Sequence, residues 1–151
     1  MSDDLKTRIQ DDVKTAMRAR DRARLGTLRL IMAAIKQKEV DDRSTLDDGA
    51  VLNVLEKMVK QRRDSIEQYT NAGRQELADQ EAFEIQVIQG YMPAQLSESE
   101  LEQMIDEVIE ETGASSMKDM GRVMGTLKPR IQGRADMGAA SQRVKTRLGA
   151  T

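Results

Sequence analysis

GYMPAQLSESEL, residues 90–101, is the passage that divides this sequence in two. Pro93 has no amide hydrogen to give to a helix, and it biases Met92 away from helical backbone. Ser97 and Glu100 then have the spacing of a capping box, in which each side chain takes up a backbone amide left free at a helix start. One helix is therefore expected to end before Gly90 and another to open at Ser97. The domain boundary falls at Pro93, with one unit over 1–92 and a second over 93–151.

Upstream of the boundary, apolar spacing predicts four helices. The first runs from about Asp3 to Ala19, with Leu5, Ile9, Val13 and Met17 at steps of four. The second starts at Asp21 as N-cap and reaches about Val40. The third is the longest, from about Asp47 to Asn71, and Gly73 closes it. Its stripe of Val51, Leu55, Met58, Val59, Ile66 and Tyr69 has Arg62 in its middle. An arginine there reads as a snorkelling or paired structural residue. The fourth covers about Arg74 to Gln89.

Downstream, three helices are expected. The first opens at Ser97 and closes at Gly113, with Leu101, Met104, Ile105, Val108 and Ile109 on one face and acids on the other. Ser116 and Asp119 resemble a second capping box for a helix to about Leu127. Asp136 caps the last, with Val144 and Leu148. The fold class is all-α: a four-helix N-terminal unit and a small C-terminal three-helix domain, the latter short for a stable core of its own.

Composition agrees. There are two Tyr, one Phe, no Trp and two Pro, so aromatic strand formers are nearly absent and good helix formers dominate. The absence of Cys and His removes disulfides, thiolate chemistry, the commonest general base and the commonest metal ligand. The carboxylate pairs Asp41-Asp42, Asp47-Asp48 and Glu110-Glu111 read as caps and solvated faces, and no calcium-loop spacing or phosphate loop occurs. No metal site, no cofactor and no catalytic residue is expected. The start MSDDLKTR has no apolar h-region and no run approaches a membrane span, so the reading is a soluble, cytoplasmic protein without a membrane partner.

The net charge of −2 conceals blocks of one sign. Lys14 to Lys38 holds eight basic residues and one acid; 75–117 holds eleven acids and no base; from Lys118 onward there are eight bases and two acids. Within the last block lies GASSMKDMGRVMGTLKPRIQGRAD, residues 113–136, with four glycines and five cations. Glycine inside a helix costs roughly 1 kcal/mol relative to alanine. At 100° per residue, Gly121, Gly125, Lys118 and Arg122 share a sector, with Asp119 away from it and with Met117, Met120 and Met124 on the apolar face. Two readings stand on the residues alone. Either the glycines let an anionic backbone come close, with cations at hand for phosphates, or Gly121 and Gly125 form a helix–helix contact within the protein.

Three stretches carry a family resemblance: KQRRDSIEQY at 60–69, YMPAQLSESEL at 91–101, and the glycine-and-cation segment at 113–136. Together they resemble the YqeY family over essentially the whole chain. That family is similar to the C-terminal helical and tail domains of GatB, a subunit of the amidotransferase that converts misacylated Glu-tRNA(Gln) or Asp-tRNA(Asn). The resemblance implies an all-helical, two-part fold and a link to tRNA. It implies no catalytic site, because the chemistry of GatB belongs to a separate domain that would not fit in this chain. The label of a carbon–nitrogen ligase with glutamine as amide donor would be inherited from that multidomain relative. The residues it points to as an RNA face are Lys118, Gly121, Arg122, Gly125, Lys128, Arg130 and Arg134.

The expected partner is tRNA or another structured RNA, recognised by shape and phosphate because aromatic residues for base stacking are scarce. Two alternatives remain: a protein-interaction adaptor, favoured by the acidic pI of about 5.4, and a subunit of an amide transferase.

Overall fold

The structure, a computed structural model, describes residues 4–149. Seven α-helices and one short 3₁₀ turn account for the secondary structure among the described residues. The chain divides into two compact units, Met1–Met92 and Pro93–Thr151.

In the first unit, α1 (Leu5–Ala19) is capped by Asp4, whose carboxylate accepts the Thr7 amide at 2.7 Å. The expected start at Asp3 lies outside the described residues. α2 (Arg22–Asp42) is capped by Asp21, which accepts from the Arg24 amide at 3.2 Å. Arg20 makes the corner between them with φ 56°, a left-handed conformation uncommon outside glycine. α2 passes the expected end at Val40 and stops at Arg43, also left-handed. α3 (Asp48–Asn71) is capped by Asp47, and α4 (Gln75–Gln89) returns alongside it. Gly73, at φ 72°, makes that return.

The core of this unit is aliphatic. Ile9, Leu28, Ile31, Ile35, Leu55 and Ile88 are each fully buried. Their three- and four-residue spacings place one stripe per helix inward, and burying each such side chain contributes about 1.5–3 kcal/mol. Arg62 is paired within this setting. Its guanidinium lies 3.5 Å from the buried carboxylate of Glu84 on α4, and it donates to the Met58 carbonyl at 3.3 Å.

Tyr91 closes the unit. Its ring is buried under the Arg8 guanidinium, 5.8 Å from the ring centre. Its hydroxyl donates to Asp12 and accepts from Arg24 at 3.3 Å. Burial, and then the Asp12 carboxylate, push the phenol well above its ordinary range.

The second unit contains α5 (Glu98–Thr112), a 3₁₀ turn over Met117–Asp119, α6 (Met120–Ile131) and α7 (Met137–Gly149). Each helix contributes a buried line: Leu101, Ile105 and Val108; Val123, Leu127 and Ile131; Ala140, Val144 and Leu148. These nine residues make one continuous core despite the small size of the unit. The capping box at Ser97 is formed in both directions, at 3.0 and 3.1 Å.

The second capping box, at Ser116 and Asp119, is formed, and the Asp119 carboxylate accepts the amides of Ser115 at 2.9 Å and Ser116 at 3.2 Å. The helix it opens begins as a 3₁₀ turn over Met117–Asp119 that runs directly into α6. Its end needs correction. α6 then runs through Pro129 to Ile131 instead of stopping near Leu127. The proline sits in the last turn, where it withholds one amide from the Gly125 carbonyl four residues back. Gly125 is exposed and has open space beside it, so that carbonyl stands at a face where water can solvate it.

Candidate nucleic-acid interface

The candidate site begins where α5 ends. Gly113 takes φ 65° and turns the chain out of the helix. Lys118 is exposed on the 3₁₀ turn that follows. Because this turn has three residues per turn, it is out of phase with α6. Two parts of the helical projection are corrected here. Asp119 is not remote from the cations: its carboxylate receives Arg122 at 2.8 Å. Met117 is 41% exposed, while Met120 and Met124 pack against the core.

On α6 itself, Gly121, Gly125 and Lys128 fall within about 60° of one another around the axis. All three are exposed. A Cβ built on either glycine would meet nothing within 4 Å. Within the C-terminal unit, Gly121 and Gly125 therefore mediate no helix–helix contact. The opposite side of α6 carries Val123, Leu127 and Ile131 into the core.

The seven residues singled out from the sequence separate by what they touch. Lys118 and Lys128 are exposed and make no ion pair among the described residues. Arg122 is exposed and tethered to Asp119. The Asp119 carboxyl is held below its usual range, first by the Ser115 amide, then by that of Ser116, with Arg122 acting in the same direction. Arg130 turns back to α5, where both its terminal nitrogens meet the Glu111 carboxylate, at 3.1 and 2.5 Å. This two-point pairing holds Glu111 below the usual carboxylate range.

Arg134 has a structural position. Its Nε donates to the Ala94 carbonyl at 3.1 Å, and its own carbonyl accepts the Leu96 amide at 2.8 Å. Beside it, the Gly133 carbonyl accepts from the Gln95 side chain at 2.7 Å. The segment 133–134 thus clasps residues 94–96, which lead into α5.

The acidic face of α5 is met chiefly by α7. Arg143 pairs with Glu102 and, at 3.6 Å, with Glu98; Arg147 pairs with Asp106 and, at 3.5 Å, with Glu102. These arginines stand four apart, which places them on one side of a helix. That spacing is visible in the sequence and signals a partner for α5, though nothing in it says which acids are met. The consequence is that the exposed cations around Gly121 and Gly125 are not consumed by the acidic helix, Arg130 excepted.

Chemically this face offers a helix surface without side chains at two positions, an amide-deprived carbonyl and three exposed cations. It offers no nucleophile–base pair. Among the described residues no cluster of three or more carboxylates could hold a metal ion, and no helix is long and apolar enough to cross a membrane.

Comparison with known proteins bears on the whole chain. Residues 6–148 match the family described as Yqey-like protein. A relative from Pyrenophora tritici-repentis, named altered inheritance of mitochondria protein 41, mitochondrial, is 33% identical over 149 residues, covering 95% of this chain and 80% of its own length. Proteins of the same name from Eremothecium gossypii and Vanderwaltozyma polyspora are 41% and 31% identical. The first of these matches 57% of this chain and 48% of its own length; the second matches 74% and 64%. All three are named as mitochondrial, which overturns the cytoplasmic expectation. That expectation rested on the absence of a secretory h-region and of an apolar run long enough to span a membrane. Neither absence separates the cytosol from an organelle interior.

Proposed function

The chain belongs to the YqeY-like protein family, and on that premise we propose that it is a tRNA-binding accessory module without a catalytic site of its own. In this reading the four-helix unit is the N-terminal helical domain. The three-helix unit is the counterpart of the GatB tail and carries the RNA face. The observation that supports it is the pair Gly121 and Gly125, open to solvent on α6 with exposed Arg122 and Lys128, and with exposed Lys118 on the turn just before. A helix face without Cβ atoms lets a sugar–phosphate backbone approach closely, and cations at its edge can meet phosphates. Arg130 and Arg134 serve the fold first and are secondary contacts.

The test is tRNA binding by the purified full chain as a function of salt. Three cations on three phosphates give a log–log slope of about −2 to −3. Five would give about −3.5 to −4.5, so the slope separates the smaller face from one that also uses Arg130 and Arg134. Lys118→Glu with Lys128→Glu should abolish binding while leaving the helical circular dichroism unchanged. Salt-independent binding, or binding indifferent to both changes, would sink the proposal.

A further inference from the structure

The N-terminal unit has a basic surface that the proposed RNA face does not use. α2 carries more apolar side chains than its packing face needs. Leu28, Ile31 and Ile35 are buried, Leu25 and Met32 are only partly covered, and Leu30 is 48% exposed. Across the α1–α2 hairpin, Met17 is 51% exposed.

Three shallow hollows lie on this hairpin. Two of them, of about 420 and 430 Å³, share Gln10 and Met32. The third, of about 380 Å³, sits at the corner between Met17 and Leu25, among Arg20, Arg22 and Arg29. Arg22, Arg29 and Lys36 recur at steps of seven, so they line one side of α2 at intervals of about 10.5 Å. They and Lys14 make no ion pair among the described residues. Of the acids at the hollows, Glu39 is closed by Lys6 at 2.9 Å, which leaves Asp11. Together the hollows make a furrow along the hairpin in which Met17, Leu25, Val13 and Met32 lie among polar side chains and the cations line α2.

We infer that this furrow docks an acidic amphipathic helix of a partner protein. Its apolar face lies on Met17, Leu25 and Met32, and its carboxylates meet Arg22, Arg29 and Lys36. Charge complementarity selects an acidic occupant, because these cations have no counter-charge of their own. The apolar side chains select an amphipathic one: a phosphate backbone would use the arginines and leave the methionines and Leu25 against a polar strand. The three cations span two heptads, so about four turns of partner helix suffice to engage them all. This is a helix-in-groove mode, with apolar anchors at three- and four-residue spacing.

The probe is a labelled synthetic peptide of about 18 residues built from Leu, Ala and Glu with one apolar face, titrated against the full chain by fluorescence anisotropy. A scrambled peptide of the same composition, without that face, is the control. Binding of the amphipathic peptide alone is expected. It should weaken by about tenfold or more both in R22E/R29E/K36E and in M17Q. All four positions are exposed, and circular dichroism verifies that the variants stay folded. Equal binding of the scrambled peptide, no binding at all, or indifference to M17Q overturns the inference. Total tRNA is the competing arm: if tRNA displaces the peptide and its own binding is lost in R22E/R29E/K36E but not in M17Q, the furrow is an RNA face and the inference is wrong.

Discussion

The Tyr91 hydroxyl donates to the Asp12 carboxylate at 2.5 Å, joining residues 79 apart in sequence. Asp12 also lies 3.9 Å from Arg24, and Arg8 covers the ring, so one tyrosine gathers α1, α2 and the end of the N-terminal unit. Tyr91→Phe keeps the ring and removes the hydrogen bond. It should cost about 2 kcal/mol, read as a lower urea midpoint with an unchanged slope. The phenol's pKa is raised from its ordinary 10.0. The folded state therefore keeps a proton that the unfolded chain loses, and Tyr91 stabilises the fold below pH 10, progressively less as pH rises beyond it. In a Y69F background, where Tyr91 is the sole tyrosine, phenolate absorbance should appear only above pH 10. A normal titration would contradict the buried pairing.

The Arg62–Glu84 pair should behave as a unit. The side chains are 14% and 9% exposed, and the Arg62 Nε is buried without a hydrogen-bond partner among the described residues. Arg62→Met strands a buried carboxylate and should destabilise by about 3–5 kcal/mol. Arg62→Met with Glu84→Leu should recover most of that loss. Equal stability of the single and double variants, measured by urea unfolding, would show that the pair is not coupled.

Glu81 supplies a pH signature at the same place. Burial, and then the Glu84 carboxylate, raise its pKa above the ordinary 4.5, with Arg62 opposing. A raised folded-state pKa means that its contribution is most favourable below pH 4.5 and is lost as pH rises through the folded value. Glu81→Gln should therefore stabilise the protein at pH 7 and confer no advantage in acid. Thermal midpoints of both proteins across this range check the sign.

Gly121→Ala and Gly125→Ala separate packing from binding. Neither glycine has positive φ, and an added Cβ meets nothing within 4 Å. Each substitution should raise stability, by about 0.5–1 kcal/mol for Gly125 inside the helix and less for Gly121 in its first turn. If the face receives a phosphate backbone, tRNA affinity should fall in the same variants. Opposite signs in the melting curve and the binding isotherm are the expected outcome; unchanged affinity would remove the glycines from the interface.

Much of this architecture was legible one residue at a time. Asp21, Asp47, Ser97 and Asp136 mark helix starts, and Gly73 and Gly113 mark ends, because caps and left-handed turns are local chemistry within a few residues. The buried line Leu101–Ile105–Val108 follows from helical period alone. Other features were not read from the sequence. The length of α6 through Pro129 and the out-of-phase turn at Lys118 depend on how the ends are held. Asp119 was read as a cap, and its tether to Arg122 three residues on is equally local. The choice of Arg143 and Arg147, together with Arg130, as partners for the acidic helix needed three helices in place, since long-range ion pairs are set by which faces packing brings together. The openness of Gly121 and Gly125 is of the same kind. Periodicity can put them off the buried stripe, but only the packed unit leaves nothing beside them.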